Sequence, residues 1–177
     1  GSIGLTSTND PKLAVESIDM SSIAKSTQAI SSEIQIDKLQ KTLVRTMMEN
    51  AGAQRGALIL NSEGTDELVV EATGQGEEVL VNQGGPIEKM ENELCIEMVN
   101  LVVRTQKTVV INDAQIDEDF STNKYIKTKR IMSVLCLPVL YRNVLKGILY
   151  LENNLATNAF TPSHLTTLSL ISSQAAI

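Results

Sequence analysis

Basic side chains, cysteine and histidine are all in short supply, and each shortage closes off a class of function. Lys and Arg number 15 against 21 Asp and Glu, leaving a formal charge of -6 and an isoelectric point near 4.8. Such a surface repels phosphate backbones and anionic headgroups, so neither nucleic acid nor a membrane is an expected partner. The 2 cysteines, Cys95 and Cys136, lie far apart in apolar settings. They have none of the close spacings of zinc sites or disulfide frameworks, and they fit a reducing cytoplasm. The single histidine, His164, sits near a predicted helix start, where a surface position is expected and neither metal binding nor phospho-acceptance. No apolar run approaches the ~20 residues of a membrane span, and no basic-then-apolar signal segment opens the chain. The sequence also has no GxxxxGK[ST] loop, no serine within a glycine elbow and no histidine-carboxylate pair, so nucleotide hydrolysis and acyl transfer have no residues to run on. Asp117-Glu118-Asp119 lacks the alternating ligands and glycine of a calcium loop and reads as a solvated charge run. No metal and no cofactor are expected.

What is present suffices for one well-filled core, since 42% of the 177 residues are hydrophobic. Gly1-Ser2 reads as a tag remnant, and residues 1–18 as a flexible N-terminal segment. Residues 19–35 read as a separate helix. Its apolar positions Met20, Ile23, Thr27, Ile30 and Ile34 alternate steps of three and four, the narrow stripe of a coiled-coil seam, so this helix is expected to pair two subunits. Asp19 is placed to cap it. Residues 36–177 form the folded domain, with a last helix that stops short at Ile177.

Within that domain, Ile36, Leu39, Leu43 and Met47 share one helix face, and Gly52 is the C-terminal stop. Ala57 to Leu60 is a short apolar run between turn signals, a strand buried on both faces and placed centrally. Leu68 to Ala72 and the shorter Val79 to Val81 are expected as sheet edges or loops, with Gly74-Gln75-Gly76 and Gly84-Gly85-Pro86 as turns between and after them. Leu94, Met98, Leu101 and Val102 mark a helix, followed by a short strand at Thr108 to Asn112 and a polar stretch to Lys129. Ser133 to Tyr141 and Val144 to Leu151 form a hairpin across Arg142-Asn143, with Pro138 signalling a bulge or an edge. Thr161 caps a closing helix that has Pro162 at its first position. This order of elements predicts an α+β fold.

The segments SVLCLPVL (Ser133 to Leu140), GILYLENN (Gly147 to Asn154) and the stretch from Ala159 to Ile177 closely resemble GAF domains of multi-sensor histidine kinases. STQAISSEI (Ser26 to Ile34) and NAGAQRGALIL (Asn50 to Leu60) extend the likeness. The resemblance implies a PAS-related antiparallel sheet with helices on both sides. It also implies a parent with a serine/threonine-kinase-like region and an ATPase region before this domain and a histidine kinase after it, in some members fungal hybrid kinases with a receiver. The implied role is a non-catalytic sensory domain of a two-component phosphorelay, a homodimer whose partners are a small ligand of unknown identity and the kinase domains of the same polypeptide. Gly74 to Asn92 is longer and richer in glutamate than in similar domains, and Arg130-Ile131 stands where relatives often have proline and lysine.

The resemblance also places a ligand pocket beneath the segment from Ile111 to Lys129. Phe120, Tyr125 and Ile126 are large apolar side chains in a polar stretch and are expected to fold onto the sheet as its wall. Asn112, Asp113, Ser133 and Tyr150 are expected polar contacts, carried by family geometry. Bilin-binding relatives attach the chromophore through a cysteine usually followed by histidine, whereas Ile96 follows Cys95 and Leu137 follows Cys136. Asn123-Lys124 opens the signature of cyclic-nucleotide binders, but the rest does not follow in order. Two cysteines give thin support to a free methionine sulfoxide reductase. The alternative from another class is a ligand-free interaction and dimerisation platform.

Overall fold

The computed structural model describes residues 40–42, 44–61 and 67–175, all within one unit, Leu39–Ala176. The expected dimer seam of Met20, Ile23, Thr27, Ile30 and Ile34 lies outside the described residues, as do Ile36, Leu39 and Leu43.

Helix α1 covers residues 40–42 and 44–51. It ends at Gly52, whose φ of 66° is the left-handed stop that glycine adopts without a Cβ penalty. Among the described residues six strands follow the order β3-β2-β1-β6-β5-β4 in one sheet, antiparallel throughout. They are β1 Arg55–Asn61, β2 Leu68–Gln75, β3 Glu78–Pro86, β4 Val109–Ile111, β5 Ser133–Tyr141 and β6 Val144–Asn153. A 3-10 turn, Ile87–Met90, and helix α2, Ile96–Thr105, separate β3 from β4. Helix α3, Lys124–Lys129, precedes β5, and α4, Pro162–Ala175, closes the described chain.

The central place expected for Ala57 to Leu60 holds: β1 pairs with β2 on one side and β6 on the other. Alternation along the strands divides the core into two layers. One face buries Ala57, Ile59, Val134, Cys136, Ile148 and Tyr150 against α2 and the 111–131 segment. The other buries Leu58, Leu135, Leu137, Leu149 and Leu151 against Val44, Met47 and Met48 of α1 and Leu168 of α4. Met48 lies over Gly56 and Gly74, where a Cβ would collide with its side chain.

Pro138 pairs with Ile148 of β6, but its other edge is unpaired because β4 reaches only Cys136. A register shift follows at once between Val139 and Leu140, so both expected signs of that proline are present. Arg142 and Asn143 close the hairpin with φ of 53° and 64°, the twisted two-residue turn that suits antiparallel strands. Two turn assignments are corrected. Gly74 and Gln75 continue β2, opposite Val79 and Glu78, and the turn is confined to Gly76-Glu77. Gly84-Gly85-Pro86 continues β3, with Gly85 opposite Val70 and Pro86 opposite Val69. As β3 is an edge strand, a residue without an N–H is tolerated at its end.

Candidate functional site

The sequence of β6 places a carboxylate inside the core. Glu152 falls two residues after Tyr150, hence on the same face, and is 2% exposed. Its charge is held by hydroxyls: Tyr125 donates to Oε1 at 2.7 Å and Tyr150 to Oε2 at 2.8 Å. Arg55, at the start of β1, brings Nη1 to 3.8 Å from Oε1 and donates from the same nitrogen to the Tyr125 hydroxyl at 3.1 Å. Its Nη2 reaches Glu93 Oε1 at 2.8 Å. The Tyr150 hydroxyl in turn accepts the Cys95 backbone N–H at 3.1 Å. One buried network therefore ties α3, the turn before α2, β1 and β6 together.

Burial pushes the Glu152 carboxyl above its ordinary value, and the two tyrosine hydroxyls and Arg55 pull it back only in part. Burial, then the neighbouring Glu152, raises both tyrosines, so they remain hydroxyl donors throughout the physiological range. For Arg55, burial lowers the value, but Tyr125, Glu152 and Glu93 more than offset it and the guanidinium stays charged. Burial also raises the Cys95 thiol to about 11 and raises Cys136 further. Neither is a thiolate at neutral pH, the form a nucleophile needs.

Of the residues expected in a pocket, Phe120, Tyr125, Ile126 and Tyr150 come together in one buried layer. Local bonds bring the loop down: Asp117 Oδ2 accepts the N–H groups of Asp119 and Phe120, and Asn123 Oδ1 caps α3 through the Ile126 N–H. The other three do not join them. Ser133 has the parity of Leu135 and Leu137, on the opposite face, and its Oγ donates to the Ala156 carbonyl. It is corrected from pocket contact to anchor of the 154–160 connection. Asn112 is exposed and holds the same connection, its carbonyl accepting the Asn158 N–H at 2.8 Å. Asp113 accepts the Gln115 N–H, a turn contact within its own loop.

Arg55, Glu93 and Glu152 were not foreseen. The signal for Glu152 is a carboxylate inside the apolar run GILYLEN, two residues from a tyrosine. Beside the network lies an open cleft of about 300 Å³. The segment 91–97 forms one wall with Glu91, Asn92, Leu94, Ile96 and Glu97, and α3 with its cap forms the other with Asn123, Lys124, Tyr125, Thr128 and Lys129. Tyr125 thus belongs to both cleft and network. Among the described residues no group of His, Cys, Asp and Glu is arranged to hold a metal ion, and no helix is long and apolar enough to cross a membrane.

The sequence profile of the GAF domain matches residues 35–177. Over 100 residues, 56% of the chain, it is 40% identical to hybrid signal transduction histidine kinase G of Dictyostelium discoideum. Over 92% of the chain it is 26% identical to peroxide stress-activated histidine kinase mak3 of Schizosaccharomyces pombe. The matched parts span only 3% and 7% of those relatives. Among solved structures, a GAF domain region from Geobacter sulfurreducens superposes with a TM-score of 0.64 at 15% identity, covering 85% of this chain and 96% of that one, a likeness of fold alone.

Proposed function

Because the chain belongs to the GAF-domain family, we propose that it is a non-catalytic sensory module, cytoplasmic and dimeric, that controls a histidine kinase in the same polypeptide. The observation that carries this is the double membership of Tyr125, which lines the cleft while its hydroxyl joins Arg55 and Glu152. A ligand between α3 and the 91–97 segment moves that residue. Movement is felt at the end of β6, where the connections to both helices of the opposite face, α1 and α4, are rooted. The Glu152 carbonyl accepts the Gln54 N–H at 3.1 Å, and Asn153 Nδ2 donates to the Gly52 carbonyl at 2.8 Å, just past α1. Asn153 Oδ1 also accepts from Leu155 and Ala156 on the way to α4. Occupancy of the cleft thereby biases two arrangements of the terminal helices.

Melting the protein with candidate metabolites tests the binding half of this reading. A ligand of the native state raises the melting temperature by mass action, and the absence of any response across a broad set favours a ligand-free platform. The coupling half is tested by Tyr125→Phe, which keeps the ring and removes the hydroxyl. Amide exchange is expected to quicken at Gln54 and Asn154, which are linked to Tyr125 only through Arg55 and Glu152; a change confined to 91–97 and 123–129 defeats the coupling.

Dimerisation through the seam of Met20, Ile23, Thr27, Ile30 and Ile34 is part of the same proposal, with two-fold symmetry as the commonest form. Ile23→Asp with Ile30→Asp places like charges in an apolar seam. Light scattering is expected to report a folded monomer. A dimer, or an unfolded chain, makes the stripe core packing within one subunit.

A further inference from the structure

Resting on the sensory reading, the charges of the cleft specify its ligand more narrowly. Its two walls carry opposite signs. The 91–97 wall contributes only carboxylates, Glu91 and Glu97, and the α3 wall only ammonium groups, Lys124 and Lys129. Among the described residues these form no ion pair with each other. Glu97 is engaged by Asn123, which donates Nδ2 to its Oε1 at 3.0 Å and so pins the walls together at one place. Glu91, Lys124 and Lys129 remain exposed. The apolar part of the lining is Leu94, Ile96 and Tyr125: Ile96 is half-buried, and Leu94, 2% exposed, and Tyr125, 6% exposed, show only an edge.

We infer that the cleft takes a small dipolar ligand, a free amino acid with an apolar side chain. Its ammonium faces Glu91, its carboxylate faces the lysines and its side chain lies over Ile96, at the exposed edges of Leu94 and Tyr125. A polyanion such as a nucleotide meets two carboxylates on one wall, and a simple cation meets two lysines on the other, so each is opposed by half of the lining. A ligand carrying both charges at a fixed separation satisfies both walls at once. The volume, about 300 Å³, falls at the lower end of small-molecule sites.

The probes are L-leucine, N-acetyl-L-leucine, L-leucinamide and N-acetyl-L-leucinamide, titrated into the full chain while the amide resonances of 91–97 and 123–129 are followed. Free leucine is expected to shift them saturably. Each singly blocked form is expected to bind at least about tenfold more weakly, the usual scale for one charge-assisted contact. Glu91→Gln is expected to weaken leucine but not N-acetyl-L-leucine, and Lys129→Met to weaken leucine but not leucinamide, a crossed pattern that general loosening of the fold does not produce. Equal binding of all four probes overturns the dipolar assignment. If no leucine derivative binds but another metabolite moves the same amides, the ligand class is wrong and the sensory reading stands. If nothing moves them, both fail.

Discussion

Glu152→Ala is expected to lower the unfolding free energy by roughly 2–5 kcal/mol, measured by denaturant titration. The substitution takes the acceptor from two buried hydroxyls. Tyr150, 1% exposed, keeps the N–H it accepts from Cys95 but has nowhere to place its own proton, and Tyr125 is left the same way. An unsatisfied buried hydroxyl costs about 1–3 kcal/mol, and the space left by the side chain adds to it. Arg55 loses less, because its ion pair with Glu93 at 2.8 Å survives. A loss below about 1 kcal/mol would mean that the tyrosines find other acceptors and that the network does not hold α3 to the sheet.

Glu152→Gln separates the charge from the shape. Since the carboxyl is raised in the folded protein, the native state binds more protons than the unfolded chain between the unfolded value, near 4.5, and the folded one. Stability from this group is complete below that window and is lost as pH rises through it. The glutamine variant does not titrate, so the wild type should lose stability relative to it on passing upward through the window. A difference that moves the other way would show that Arg55 and the hydroxyls outweigh burial.

The network explains which parts of the site could be read in advance. Strand alternation and turn residues are local signals, so β1, the β5–β6 hairpin and the stop at Gly52 were legible from short stretches of chain. Burial of Phe120, Tyr125 and Ile126 was legible because large apolar groups in a polar segment tend to find a burial site, although Ile116 of the same segment stays 77% exposed. Arg55 and Glu93 gave no such signal. They stand 38 residues apart, at a strand start and in a turn, where charged residues are ordinarily solvated. Only the pairing of Arg55 opposite Glu152 in the sheet brings that end of β1 beside the carboxylate. Ser133 went astray because the resemblance supplied a residue without its face, and parity along β5 turns it away from Tyr150. The extension of β3 beyond Val81 was missed because glycine and proline weigh against strand in a local reading, while an edge position accepts both.

The second large effect is expected at Phe120, the anchor of the segment between β4 and α3. Its ring is 3% exposed and packed in the same layer as Tyr125, Ile126 and Ile131. Around it the chain is held by polar contacts: Asp117 Oδ2 accepts from Asp119 and Phe120, the Phe120 carbonyl accepts the Asn123 N–H at 3.0 Å, and Gln115 Nε2 spans the carbonyls of Ile126 and Ile131 at 3.0 and 2.8 Å. Such polar contacts are partly exchanged for water on unfolding and contribute about 1 kcal/mol each. The buried ring therefore supplies most of the local driving force, and Phe120→Ala should cost about 3–5 kcal/mol by loss of transfer energy together with the cavity left behind. Phe120→Leu keeps most of the apolar volume and should recover the larger part. The loss should also be distributed unevenly. Amide exchange is expected to rise first across 114–129, because α3 spans only Lys124–Lys129 and is too short to persist without tertiary support. The β1–β6 pairing should change only by the shift in global stability. If exchange rises equally everywhere, the segment is an inseparable part of the core, and a moving wall cannot transmit occupancy of the cleft through Tyr125.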